Sequence, residues 1–215
     1  MIPVIGFATI TRFDLAERLI ASINYPVEHL VVINNSGKQT WAPQKPDIVQ
    51  KLWHIEVPYG LGLVGAWNLV IKSTPYAPYW VLVNDDAYFS ENALETIERE
   101  VDTQALNFAH VDQTPWAAPI FGEGCVEKAG LYDEAFYPVY FDDNDYERRI
   151  RNAGVEVKQL SARIHHNPMT TRQDFLEQNQ RTWAANEKRY HEKIQHNDYS
   201  VHGWSLKTRR ENRWD

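Results

Sequence analysis

One pattern restricts this chain more than any other. In its first half, short apolar runs each end in a small polar or acidic cluster, and most lead on to a helical stretch. Val4–Thr9, His29–Ile33, Leu52–Val57 and Tyr79–Val83 read as strands, followed by Thr9–Arg12, Asn34–Ser36, Tyr59–Gly62 and Asn84–Asp86. Leu15–Ile23, Leu63–Ile71 and Ser90–Val101 read as helices, with Asp14 and Ser90 in N-cap positions. Residues 38–50, with Pro43 and Pro46, read as loop. Strands alternating with helices at this spacing predict an α/β fold, a parallel sheet covered on both faces. Ligands of such sheets bind at the carboxyl ends of the strands, where the polar clusters fall.

The second half is less regular. Leu106–Val111 and Pro119–Phe121 read as strands, Asp142–Ala153 as a helix stopped by Gly154, and Val155–Gln159 and Arg163–His165 as extended. Thr171–Ile194 reads as a long polar helix with Thr171 and Asp174 as a capping pair and a sparse stripe of Phe175, Leu176, Trp183, Tyr190 and Ile194. No repeat or linker divides the 215 residues, so a single domain is expected. A net charge of −7 and a pI near 5.6 argue against binding nucleic acid by counterion release. The chain has no apolar run of membrane-spanning length, no basic leader before Ile2-Pro3-Val4, and a lone Cys125. These features predict a cytoplasmic protein. The basic tail (Lys207, Arg209, Arg210, Arg213) is either a solvated end or a contact to phosphate or a membrane surface.

Three clusters carry chemistry. Asn84-Asp85-Asp86, at a strand's end, is either a turn or a set of hard oxygen ligands for Mg²⁺ or Mn²⁺. Asp142-Asp143-Asn144-Asp145, at a helix start, is either a cap or a set of carboxyls whose mutual repulsion raises a pKa toward that of a base. His165-His166 is either structural or completes a metal site. The eight Trp divide between core and sugar platform without a sequence signal to sort them.

The order of these clusters resembles glycosyltransferase family 2 of the GT-A fold, especially its rhamnosyltransferase-like branch, over about residues 5–171. Thr11-Arg12 falls where the family often has Asn-Arg, and Asn34 where it usually has Asp. Gly60–Asn68 is similar to its Gly-containing segment beside the nucleotide, and Asn84-Asp85-Asp86 falls on its DxD position. Gly130-Leu131-Tyr132-Asp133-Glu134-Ala135-Phe136, Tyr140–Asp145 and Arg148 or Arg149 are similar to its most specific block. The resemblance implies a Rossmann-like, mostly parallel sheet, with a nucleotide-sugar half (about 1–111), an acceptor half (about 112–170) and a C-terminal helix and tail (171–215).

It also implies metal-dependent, inverting transfer from a UDP-sugar or dTDP-sugar to a glycan or glycoconjugate hydroxyl. Asp86, Asp85 and His165 or His166 would hold Mn²⁺ or Mg²⁺, with His165 favoured. Asp143 would be the base and Asp142 its reserve. Thr9, Thr11, Arg12, Asn34, Asn68, Asn84 and Asp85 would line the nucleotide sugar, and Gly122-Glu123-Gly124 would border the donor sugar as a flexible loop. A nucleotidyltransferase and an inactive carbohydrate-binding relative remain open alternatives.

Overall fold

The computed structural model describes residues 1–167 and 176–201. Its strands are β1 (Ile2–Thr9), β2 (Val27–Asn34), β3 (Val49–Glu56), β4 (Tyr79–Leu82), β5 (Ala87–Phe89), β6 (Leu106–Val111), β7 (Pro119–Gly122) and β8 (Val157–His166). Its helices are α1 (Phe13–Ala21), α2 (Gly62–Ser73), α3 (Ala93–Glu100), α4 (Glu123–Ala129), α5 (Asp142–Asn152) and α6 (Leu176–Gln195). The strands form one sheet in the order β3-β2-β1-β4-β7-β6-β8-β5. β3, β2, β1 and β4 run parallel, as do β6 and β8, while β7 is antiparallel to β4 and β6, and β5 to β8. The expected α/β architecture is therefore present, with β5 and β7 as its two antiparallel strands.

The central strands read as unbroken apolar runs because both of their faces are buried. Ile5 and Phe7 of β1, Leu30 and Val32 of β2 and Val81 of β4 enter one core with Leu19 of α1 and Leu94 and Ile97 of α3. Their neighbours Val4, Val31, Ile33, Trp80 and Leu82 enter the other, with Val64, Trp67 and Val70 of α2 and Tyr146 and Ile150 of α5. Gly6 lets α2 approach β1 closely: a Cβ there would lie 2.3 Å from Val70 Cγ1.

Helix starts differ from expectation in two places. α1 begins at Phe13 with Arg12 at its N-cap, and Asp14 lies inside the first turn, where its carboxylate suits the helix dipole and takes two bonds from Arg12. α3 begins at Ala93 after Asn92 in the left-handed region (φ 63°), not at Ser90, because residues 87–89 first form β5. The two extended stretches expected at Val155–Gln159 and Arg163–His165 join as one strand, β8, which begins at Val157. Thr171, Asp174 and Phe175 lie outside the described residues, as does the basic tail. No helix among the described residues is long and apolar enough to cross a membrane.

Direction determines which loops meet. β1, β2, β4, β6 and β8 all finish at one end of the sheet, where β5 and β7 begin. β7 therefore delivers Gly122-Glu123-Gly124 to the opposite end: Gly122 pairs with Tyr79, the first residue of β4. These residues are not a loop. Gly122 ends β7, and Glu123 and Gly124 open α4. The glycines serve packing, since a Cβ on Gly122 would lie 2.3 Å from the Thr103 carbonyl oxygen. Gly122→Ala is expected to destabilise the fold by about 1–3 kcal/mol in urea denaturation, the usual cost of overpacking.

Candidate functional site

The acidic turn after β4 is fixed by its backbone. Val83 N donates to Gly6 O (3.0 Å), Asn84 N to Ala117 O (2.8 Å) and Ala87 N back to Asn84 O (3.1 Å). Asp85 is buried beside the end of β1, and burial pushes its carboxyl up to about 7. The Thr9 hydroxyl opposes that rise, the neighbouring Asp86 adds to it, and the Arg12 charge opposes it weakly. Thr9, Arg12 and Asp85 thus come together as expected, with Thr11 between them on the loop that leaves β1.

Asp86 has a different set of neighbours. Its Oδ1 lies 3.2 Å from His166 Nε2, with both side chains nearly buried. Its backbone oxygen accepts from Arg18 (3.0 Å) and from Asn167 N (3.2 Å). His166 Nδ1 lies 3.3 Å from the carbonyl oxygen of Asp112. A carbonyl can only accept, so in the neutral ring Nδ1 carries the hydrogen and the Nε2 lone pair faces the Asp86 carboxylate. His165 points elsewhere. Its ring stacks on Tyr88 at 4.8 Å, and its Nδ1 is 3.2 Å from Asp112 Oδ2. The preference for His165 is therefore corrected to His166, because the pairing of Ala87 with His166 places that residue, and not its neighbour, beside Asp86.

A carboxylate oxygen facing a bare imidazole nitrogen suits a divalent cation. Among the described residues no third His, Cys, Asp or Glu joins the pair in a cage. Mg²⁺ and similar ions commonly take one or two carboxylates and complete their shell with water and substrate phosphates. Asn84 adds a buried side-chain oxygen that has no hydrogen-bond partner among the described residues. The residues present fit a cation shared with a phosphate-bearing substrate.

The second acidic cluster opens α5. Tyr140 and Phe141 both lie in the left-handed region (φ 82° and 65°), which turns the chain sharply into the helix. Asp142 is buried, and that burial pushes its carboxyl up to about 7, with Asp143 reinforcing the rise. Asp143 is less enclosed, and its carboxyl is also raised, chiefly by burial. Asp145 is fully buried and structural, bonding Arg149 Nε at 2.8 Å and Lys193 Nζ at 2.9 Å. Lys193 and Arg189 of α6 also bind Asp133 (2.9 and 3.0 Å), so one charge network joins α5, α6 and the 130–136 segment. Trp116 connects the two acidic clusters. Its ring packs on Tyr146, one turn beyond Asp142, and its neighbour Ala117 holds Asn84.

Two expected nucleotide residues are otherwise engaged. Asn34 donates to Gln39 O (2.6 Å) and accepts from Ser36 N (3.2 Å), holding its own loop. Asn68 is buried; its amide donates to Tyr132 O (3.0 Å) and Glu134 (2.9 Å), and its oxygen accepts from Tyr132 N (3.1 Å). It fastens the 131–134 segment to α2. Sequence reading did not single out Asp112, Arg18, Trp116 or Asn186. Asn186 is buried in α6 and lies within hydrogen-bond distance of the carbonyls of Tyr137 (3.4 Å), Val139 (2.9 Å) and Tyr140 (3.3 Å). A buried Asn in the middle of a polar helix was its only signal.

Comparison with solved structures places this architecture. S. aureus TarS 1–349 superposes with a TM-score of 0.59 at 12% identity, over 82% of this chain and 63% of that one. The fold is that of the GT-A glycosyltransferases. GalNAc-T7 with UDP, GalNAc and Mn²⁺ gives 0.61 at 9% identity, over 77% and 44%. TarS 1–349 in complex with UDP-GlcNAc gives 0.59 at 10% identity, over 79% and 60%. This chain spans less than two thirds of each of these structures. No family model and no curated protein matches the sequence.

The raised Asp142 pKa has a sign that can be measured. An unfolded Asp titrates near 3.8 and the folded one near 7, so between these values the native state holds the extra proton. Stability contributed by Asp142 is full below the lower value and is lost as pH rises through the upper, at up to about 1.4 kcal/mol per pH unit. Asp142→Asn cannot titrate. Thermal unfolding of the variant is expected to gain on wild type progressively from pH 5 to pH 8.

Proposed function

We propose that this chain transfers a sugar from a nucleotide-diphosphate sugar to a hydroxyl acceptor, with inversion at the anomeric carbon. The observation that carries the reading is the Asp86–His166 pair beside Asp85, at the carboxyl end of β4 in a GT-A-type sheet. The ligands named for the neighbours, UDP, UDP-GlcNAc and Mn²⁺, favour a UDP-sugar over a dTDP-sugar and Mn²⁺ as the ion. Placement in the rhamnosyltransferase-like branch rests on the sequence resemblance over about residues 5–171 alone.

Asp86 and His166 would hold the cation, which supplies charge neutralisation for the departing diphosphate. Thr9, Thr11 and Arg12 line the nucleotide, and Asp85 closes that side of the crevice. The bond from C1 to the diphosphate oxygen breaks as the acceptor oxygen attacks from the opposite face. Asp143 takes the proton released from the acceptor hydroxyl. Its raised pKa suits that role, and its partial exposure gives it access that the more enclosed Asp142 lacks. Asp142 fixes the helix start that presents Asp143. Asn84 in place of the first acid of DxD supports a second reading, a carbohydrate-binding relative without turnover. Hydrolysis of UDP-sugars in the presence of Mn²⁺ separates the two.

Calorimetry of UDP with Mn²⁺ tests the cation site. Asp86→Ala and His166→Ala are expected to abolish the Mn²⁺-dependent part of UDP affinity, whereas His165→Ala keeps it. Unchanged affinity in the first two would remove the metal assignment. For the base, Asp143→Asn is expected to keep UDP affinity and to lose about 10²–10⁴-fold in transfer rate once a donor and acceptor are in hand. Full transfer by this variant would move the base to Asp142 or dismiss the mechanism.

A further inference from the structure

Trp183 presents an exposed aromatic ring against Tyr140 and Phe141, the two residues that lead into the helix of the candidate base. On α6 the positions 183, 186, 190 and 193 recur at helical spacing, and Asn186 and Lys193 of this set are buried against the body of the protein. Trp183 shares their face yet is 44% exposed. Among the described residues its ring packs on Tyr140 (ring centroids 4.8 Å apart) and Phe141 (5.0 Å), with Phe141 also packed on Tyr190 (5.8 Å). Tyr140 and Phe141 are the two left-handed residues that lead directly into Asp142 and Asp143. Such conformations are strained outside glycine and persist only where the surroundings enforce them. Asn186 enforces them here, through its contacts with the carbonyls of residues 137, 139 and 140. The aromatic cluster and the base are thus held in one relation by a single helix.

We propose that Trp183, with Tyr140 and Phe141, forms the acceptor subsite, and that its occupant is a neutral pyranose whose apolar face stacks on the indole. The proposal rests on the transferase reading and deepens it by assigning the acceptor class. An aromatic face with one wet side is the surface that takes a ring with an apolar face and a polar rim. Among the described residues the cations of this region are committed, Arg189 and Lys193 to Asp133 and Arg148 to the carbonyls of Lys193 and Asp198, so none of these is offered to an anionic occupant. A sugar ring stacked there brings a hydroxyl toward Asp143, whereas a flexible Ser or Thr side chain offers no face to stack.

The experiment is saturation-transfer NMR on the full chain with UDP and Mn²⁺ present, using methyl glycosides of glucose, galactose, rhamnose, N-acetylglucosamine and N-acetylgalactosamine. At least one glycoside is expected to receive saturation through its apolar-face protons. Trp183→Ala is expected to weaken its affinity about tenfold or more, and Trp183→Phe to restore most of it. UDP affinity, measured by calorimetry on the same samples, reports whether the variant is folded and the donor site intact. Equal glycoside binding by wild type and Trp183→Ala overturns the subsite. UDP binding with no glycoside bound overturns the saccharide assignment and leaves a peptide or lipid hydroxyl as acceptor, with the transferase reading standing. Failure of UDP to bind wild type overturns both readings together.

Discussion

The length of the connection between β4 and β5 governs the site. Three strands separate the two in the sheet, so a flat sheet would hold them about 19 Å apart at the usual spacing. The chain from Leu82 to Ala87 reaches about 17 Å even when fully extended, and part of it is spent on the turn at Asn84. The sheet has to curl, and the curl carries β8, paired with β5, back to the end of β4. The β5–β8 pairing sets His166 against Asp86, and the curl brings that pair to the end of β4. Neither residue is near the other in sequence; the short connection and one antiparallel pairing bring them together.

A second constraint holds the less regular half. The 130–136 segment and α5 pack on the sheet through Leu131, Tyr132 and Tyr146, with Phe121 of β7 against both tyrosines. α6 is tied to them by charge: Asp133, Lys193, Asp145 and Arg149 are bonded in sequence, with Lys193 and Asp145 almost wholly out of water. Such a network adds little net stability over apolar packing, but losing one member leaves its partner charged and buried. It is directional where an apolar contact is not. That matters for a helix whose Asn186 aligns the backbone leading into the candidate base.

The parallel half of the fold was legible because burial on two faces writes itself as continuous apolar runs, and the polar ends of those runs mark the crevice. Thr9, Arg12, Asp85 and Asp86 fall at those ends, with Asp85 beside Thr9 and Arg12. The choice between His165 and His166 could not be read from such runs, since adjacent strand residues face opposite sides and only the pairing register with β5 fixes which one turns inward. β5 itself is three residues long and leaves too short a pattern to see. Gly122 and Gly124 looked like a mobile loop, but glycine also appears where another backbone crosses closely, and composition does not separate the two causes. Asn68 was misread for a related reason: a buried amide can serve a ligand or a neighbouring backbone, and here Tyr132 takes it.

The pairing of β5 with β8 also sets an order of assembly. β1, β2, β3 and β4 follow one another closely in the chain and can associate as soon as they are made, whereas β5 has to wait for a partner that arrives after α5. Contacts so distant in sequence form late, because their loop-closure entropy is met before they return anything. A chain emerging from the ribosome therefore presents Asp86 with most of the second half still to come, and the Asp86–His166 pair is completed only when the last strand of the sheet closes.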